Sequence, residues 1–180
     1  MNAPTLRVRL ARFDAAVDRA IEPLRGHRRL DVGFYTLTAL ADHSVLWMLI
    51  AATQALSHRR RRRALGAIVA LGAESLLVNG VIKGLIGRRR PIDPDHPHPL
   101  GLRYPRTSSF PSGHASAAAA AVWLLGARPR ERVLLAPVAA LVAVSRVYVR
   151  IHHASDVVGG AVVGTLYGLF AQRLLRWIER

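Results

Sequence analysis

The 180 residues predict an all-α fold: a polytopic membrane bundle of about five transmembrane helices, preceded by an amphipathic N-terminal helix. Three observations carry this expectation. Apolar residues make up 51% of the chain although the formal net charge is +15, which fits charges gathered in loops and at helix ends. Five apolar runs approach the roughly 20 residues that a spanning helix needs. Arginines mark the ends of those runs: Arg59 to Arg63, then Arg128, Arg130 and Arg132, then Arg173, Arg176 and Arg180.

The runs cover about 33–56, 64–86, 112–127, 133–149 and 154–177. Asp42 and His43 interrupt the first, and Glu74 and Asn79 lie within the second. Polar groups inside a span usually face the bundle interior, for function or for hydrogen bonding between helices. The third run is short and Ala-rich. In the fifth, Gly159, Gly160, Gly164 and Gly168 offer a small-residue face for close packing in lipid.

Residues 1–30 form a separate basic arm, and 31–180 the membrane-embedded domain. The arm has charges throughout and no apolar core, so it does not read as a cleavable signal peptide. Leu6, Leu10, Phe13, Val17, Ala20, Ile21 and Leu24 recur at roughly helical spacing, as in a helix lying on a membrane surface and held by anionic lipid. One long connection, about 87–110, contains Pro91, Pro94, Pro97, Pro99 and Pro105, so neither helix nor strand is expected there. Cysteine is absent, which excludes disulfides and thiolate metal sites.

Three segments put polar groups where a span meets a loop. They are Lys83 to Pro91, Pro111 to His114, and Ser145 to Asp156. With five alternating spans, all three fall on one side of the bilayer. Lys83, Arg90 and Arg146 can converge on an anion, arginine with forked donors and lysine as a point charge. Ser112 and Gly113 stand at a helix start, where free N–H groups and the helix dipole favour an anion. His152 and Asp156 are four apart and share a helix face. The carboxylate can fix the ring tautomer and leave the other nitrogen free to attack. His114 can protonate a leaving alkoxide and later activate water. No cluster of carboxylates points to Mg²⁺, and a histidine nucleophile needs no metal.

The segments read Lys83-x6-Arg90-Pro91, Pro111-Ser112-Gly113-His114 and Ser145-Arg146-x5-His152-x3-Asp156. Together they resemble the three motifs of the type 2 phosphatidic acid phosphatase superfamily, in order and at every fixed position. The chain's single lysine fills the lysine position. The resemblance implies a helical membrane bundle and metal-independent removal of phosphate from a lipid through a phosphohistidine. It implies that His152 is the nucleophile, Asp156 its partner and His114 the acid/base. Lys83, Arg90, Ser112, Gly113 and Arg146 would then be phosphate ligands.

A site at the membrane boundary suits a substrate with its head in water and its tail in lipid. Phosphatidic acid, phosphatidylglycerol phosphate, diacylglycerol pyrophosphate, polyprenyl phosphates or pyrophosphates and decaprenylphosphoryl phosphoribose all fit. Vanadium-dependent haloperoxidases resemble the same constellation, but they are largely soluble and the spans argue against them. A lipid-phosphate binder or transporter without turnover would leave His114, His152 and Asp156 unexplained. Nucleic-acid binding, raised by the charge, fails on the spans. By the positive-inside rule Arg59 to Arg63 mark the opposite face as cytoplasmic and the site as extracytoplasmic. Of the remaining residues, Arg88 and Arg89 are expected to steer anions. His153 is expected to be structural or solvent-facing. Asp93, Asp95, His96 and His98 offer a weak alternative as a loop metal site.

Overall fold

The computed structural model describes residues 5–91 and 107–178, and every regular element among them is helical. Helix α1 spans Leu6–Ile21, α2 Arg28–Leu40, α3 Val45–Ala55, α4 Arg61–Ser75, α5 Lys83–Ile86, α6 Gly113–Leu125, α7 Pro129–Tyr148 and α8 Ala154–Ile178. A π-helical stretch, Leu76–Ile82, joins α4 to α5, so Arg61–Ile86 runs as one helix of 26 residues. Pro94, Pro97, Pro99 and Pro105, and the candidate metal ligands Asp93, Asp95, His96 and His98, lie outside the described residues.

The element boundaries follow local chemistry. Asp42 and His43 do break the first apolar run: α2 and α3 meet at 59°, with His43 (φ 48°) and Ser44 (φ 62°) both left-handed. Left-handed backbone is costly for non-glycine residues and gathers at functional sites. Helix α7 starts four residues before the apolar run does, because Pro129 occupies its first turn and Glu131 accepts the Arg128 N–H at 3.1 Å. Helix α6 has only 13 residues, about 20 Å of rise against a hydrocarbon core of about 30 Å. It ends at Gly126, short of the expected boundary.

Helix α6 is the hub, packed on α8, α7 and α4. Its alanines Ala117, Ala118, Ala120 and Ala121 join Trp47, Leu71, Leu124 and Val142 in the core. Of the expected glycine face of α8, Gly160, Gly164 and Gly168 turn toward α6 and its cap, while Gly159 meets the Phe110 ring. A Cβ at Gly160 would fall on the carbonyl oxygen of Ser112, one at Gly164 on that of Ser116, and one at Gly168 within 3.0 Å of Ala120. The opposite face of α8 exposes Val158, Val162, Leu166, Phe170 and Leu174 at every fourth position. Such a continuous apolar stripe requires lipid rather than water. Arg61–Ile86 and Ala154–Ile178 are each long and apolar enough to cross a bilayer, and the bent α2–α3 pair makes a third if it is one span. The chain is a membrane protein.

Candidate active site

Six of the expected residues line one cavity of about 330 Å³: Lys83, Arg90, Gly113, His114, Arg146 and His152. The helix ends bring them together. Lys83 projects from the last turn of the Arg61–Ile86 helix, and Gly113 and His114 from the first turn of α6. Arg146 projects from the last turns of α7, and His152 from the short link to α8. That link is closed by two bonds to one acceptor, with the N–H groups of Ile151 and His152 reaching the Arg146 carbonyl at 3.2 and 3.1 Å. One local fold therefore sets both Arg146 and His152.

The remaining two residues stand behind the wall. Asp156 is fully buried, with Oδ2 3.6 Å from His152 Nδ1. Asp156 Oδ2 also accepts from Ser109 Oγ at 2.5 Å and from the His153 N–H at 2.9 Å. Ser112 is fully buried too. It caps α6 by accepting the Ala115 N–H at 3.4 Å, and its own N–H donates to the Asp156 carbonyl at 3.0 Å. Its side chain thus serves the helix start, while Gly113 and His114 form the cavity wall there.

Arg90 Nη1 lies 3.1 Å from His152 Nε2 and also donates to the Ile151 carbonyl at 3.1 Å. A guanidinium has only donors, so Nε2 must be the acceptor nitrogen and the ring proton sits on Nδ1, facing Asp156. Burial pushes the His152 imidazole down, to about 3, with Arg146, Arg90 and Lys83 adding to the effect. The ring is therefore neutral across the physiological range, and its Nε2 lone pair accepts the Arg90 N–H at the wall of a cavity lined by cations.

Lys83 is held by its own helix, donating to Asn79 Oδ1 at 2.8 Å. Arg146 is buried. Its Nη1 donates to Thr38 Oγ1, while its Nε has no hydrogen-bond partner among the described residues. His114 Nε2 is also buried without a hydrogen bond there, 3.7 Å from Asp42 Oδ1. Unpaired buried polar atoms are rare, and at a cavity wall they point to a ligand.

Several residues differ from expectation or were missed. Arg88 does not steer anions from a free position: it donates to Asp156 Oδ1 at 2.5 Å and to Asp14 Oδ2 at 2.7 Å. Arg89 is exposed. Of the two polar groups in the second span, Glu74 accepts from Ser116 Oγ of α6, an interhelical bond, and Asn79 orients Lys83. Both also line the cavity, as do Asp42, His43 and Ser44 from the break between α2 and α3. The interruption of the first apolar run was the visible signal for that wall.

A neutral histidine backed by a carboxylate, beside three cations inside a helical membrane bundle, is an arrangement suited to phosphoryl transfer on a membrane protein. Residues 63–180 match the PAP2 superfamily, and the chain belongs to it. It is similar to the decaprenylphosphoryl-5-phosphoribose phosphatase of Mycolicibacterium smegmatis, 34% identical over 153 residues that make up 82% of this chain and 80% of the relative. A protein of the same name from Mycobacterium tuberculosis is 32% identical, with 73% of each chain covered. Among solved structures, a transmembrane PAP2-type phosphatidylglycerolphosphate phosphatase from Bacillus subtilis superposes with a TM-score of 0.75. It is 27% identical, and 98% of this chain and 90% of that one are covered. LpxE from Aquifex aeolicus gives 0.71 at 25% identity, covering 88% and 94%. The chain is a phosphatase that hydrolyses a lipid phosphate.

Proposed function

We propose that the substrate is a polyprenylphosphoryl phosphopentose, whose terminal phosphate is removed through a phosphohistidine on His152 without a metal. The observation that carries the mechanism is the 3.1 Å contact between Arg90 Nη1 and His152 Nε2, which puts the ring's lone pair on Nε2; a phosphoryl group that takes over the Arg90 donor frees that lone pair to attack. The phosphoryl group sits among Lys83, Arg90, Arg146 and the N–H groups of Gly113 and His114. His152 Nε2 attacks phosphorus, and the bond from phosphorus to the sugar oxygen breaks. His114 gives that oxygen its proton. Asp156 stabilises the imidazolium as it forms. Water then attacks the phosphohistidine, His114 takes its proton, the P–N bond breaks and inorganic phosphate leaves.

Two things favour a sugar-bearing head. The relatives from Mycolicibacterium smegmatis and Mycobacterium tuberculosis are named as phosphatases of a decaprenylphosphoryl phosphoribose. The cavity wall also contains Ser44, Glu74 and Ser75, acceptors suited to sugar hydroxyls. We infer five membrane passes with α1 on the surface, from the five apolar runs and from the motif residues sharing one end of the bundle. The cluster Arg59 to Arg63 on the other face favours an extracytoplasmic site.

The test is phosphate release in EDTA from a panel of lipid phosphates. We expect kcat/KM for the phosphopentose lipid to exceed that for phosphatidic acid and phosphatidylglycerol phosphate by at least about tenfold, the difference that a few sugar-hydroxyl bonds make. Equal values would remove the substrate assignment, and loss of all activity in EDTA would remove the metal-free mechanism. Arg146→Lys keeps the charge but loses the fork. It is expected to lower kcat/KM by about a hundredfold, and a change under threefold would count against Arg146 as a phosphate ligand.

A further inference from the structure

Asp14 belongs to α1, far upstream of the motifs, yet it is only 7% exposed. Aspartate is seldom buried unless it is paired. Its Oδ2 accepts from Arg88 Nη2 at 2.7 Å and from Ser155 Oγ at 2.9 Å, and its Oδ1 accepts the Ser155 N–H at 2.8 Å. The other arm of the same guanidinium, Arg88 Nη1, reaches Asp156 Oδ1 at 2.5 Å and Ser155 Oγ at 2.7 Å. Asp14 therefore grips Arg88 and the first turn of α8 together, and through Arg88 it bears on the carboxylate behind His152.

Its neighbours on the helix repeat the pattern. Asp18 and Glu22 follow at four-residue steps and share its face. Arg25 pairs with both, at 2.6 and 2.5 Å, and donates to the carbonyls of Tyr148 and Val147 at 2.9 and 3.0 Å. Arg150, in the link that carries His152, pairs with Glu22 at 2.5 Å. One acidic stripe on an otherwise basic helix is thus fastened along the segment that holds the candidate nucleophile. Leu6, Val8, Leu10 and Phe13 stay exposed.

We propose that Asp14 is a positioning residue for catalysis: it fixes the Arg88 guanidinium on Asp156 and so fixes the orientation of His152. This rests on the reading of His152 as nucleophile. Asp14 touches neither substrate nor reacting atom, so its removal lowers kcat and leaves KM for the lipid nearly unchanged. Groups that orient a site from behind typically contribute about 10–100-fold.

The experiment uses the full chain in detergent or vesicles, with Asp14→Asn, Arg88→Gln, the double variant and His152→Ala assayed side by side. The expected result is a kcat for Asp14→Asn lower by about 10–100-fold, with KM within about twofold and melting temperature close to wild type. In the Arg88→Gln background the same change should add little further loss, because the path through Arg88 is already cut. Restoration of most activity by Asp14→Glu would support a carboxylate role. Unchanged kcat in Asp14→Asn overturns the proposal. So does an equal, additive loss in both backgrounds, or a loss that only tracks a fall in melting temperature. Should Asp14→Asn not be recovered folded, Arg88→Gln carries the test from the other side, and unchanged kcat there overturns the proposal. An active His152→Ala would instead overturn the nucleophile assignment, which keeps the two failures apart.

Discussion

Replacing His152 with alanine is expected to abolish phosphate release, by at least about a thousandfold, because the reaction loses the atom that bonds to phosphorus. Folding should survive, since the link around residue 152 is closed by backbone bonds to Arg146 and not by the ring. Rapid acid-free quenching with a phosphorus-labelled lipid should leave label on wild type and none on His152→Ala. His114→Ala should still form labelled enzyme, slowly, and hydrolyse it slowly. The pH profile gives a further check. With its pKa pushed down to about 3, the free imidazole is already unprotonated throughout the range above that value. An acid limb of kcat/KM near pH 6 must then come from another group, such as the second ionisation of the substrate phosphate. Substrates of different phosphate acidity should move the limb; a limb fixed at pH 6 for all of them would show that His152 titrates there after all. Label on both proteins would mean that another residue is the nucleophile.

Replacing Gly164 with valine is expected to cost the bundle about 1–3 kcal/mol or more, a large part of an ordinary domain's stability. The added Cβ would fall on the Ser116 carbonyl, where α6 and α8 touch backbone to backbone. Helix α6 carries Gly113 and His114, and α8 carries Asp156, so any separation of the two also spreads the site. A shift of about 1 Å is enough to lose roughly a hundredfold in rate. Both melting temperature and kcat should fall. Gly72→Ala is the control: nothing lies within 4 Å of a Cβ there, and alanine favours the helix. If Gly164→Val melts like wild type, the close packing of α6 on α8 is not what holds the bundle.

The motif residues could be picked out in the sequence because the chemistry demands particular side chains at fixed spacings, although His152 meets Asp156 from the link before α8 and not from a shared helix face. Lys83, Arg90, Gly113, His114, Arg146 and His152 share a cavity, with Asp156 directly behind. The glycine face of α8 was legible for a similar reason, since nothing larger permits such close approach. What could not be read depended on partners distant in sequence. Arg88 looked like a free charge beside a loop because its partner Asp14 lies 74 positions away. The acidic stripe of Asp14, Asp18 and Glu22 has regular spacing, but its meaning required knowing which surface α1 meets. Helix α6 is as short as its Ala-rich run suggested, ending at Leu125, two residues before the expected boundary. For Ser112, the spacing gave the helix cap but not the bond from its N–H to the Asp156 carbonyl.

The π-helical stretch at Leu76–Ile82 has a consequence for rotational phase. A regular α-helix turns about 100° per residue, so the nine steps from Glu74 to Lys83 would carry the lysine to the side opposite the carboxylate. The wider winding turns only about 80° per residue, and over seven residues it takes back roughly 140°. Glu74, Asn79 and Lys83 consequently face the same cavity. The helix holds about one residue more than α-helical winding would need between its two polar ends. Wound as a uniform α-helix, it would turn its lysine away from the cavity that Glu74 faces.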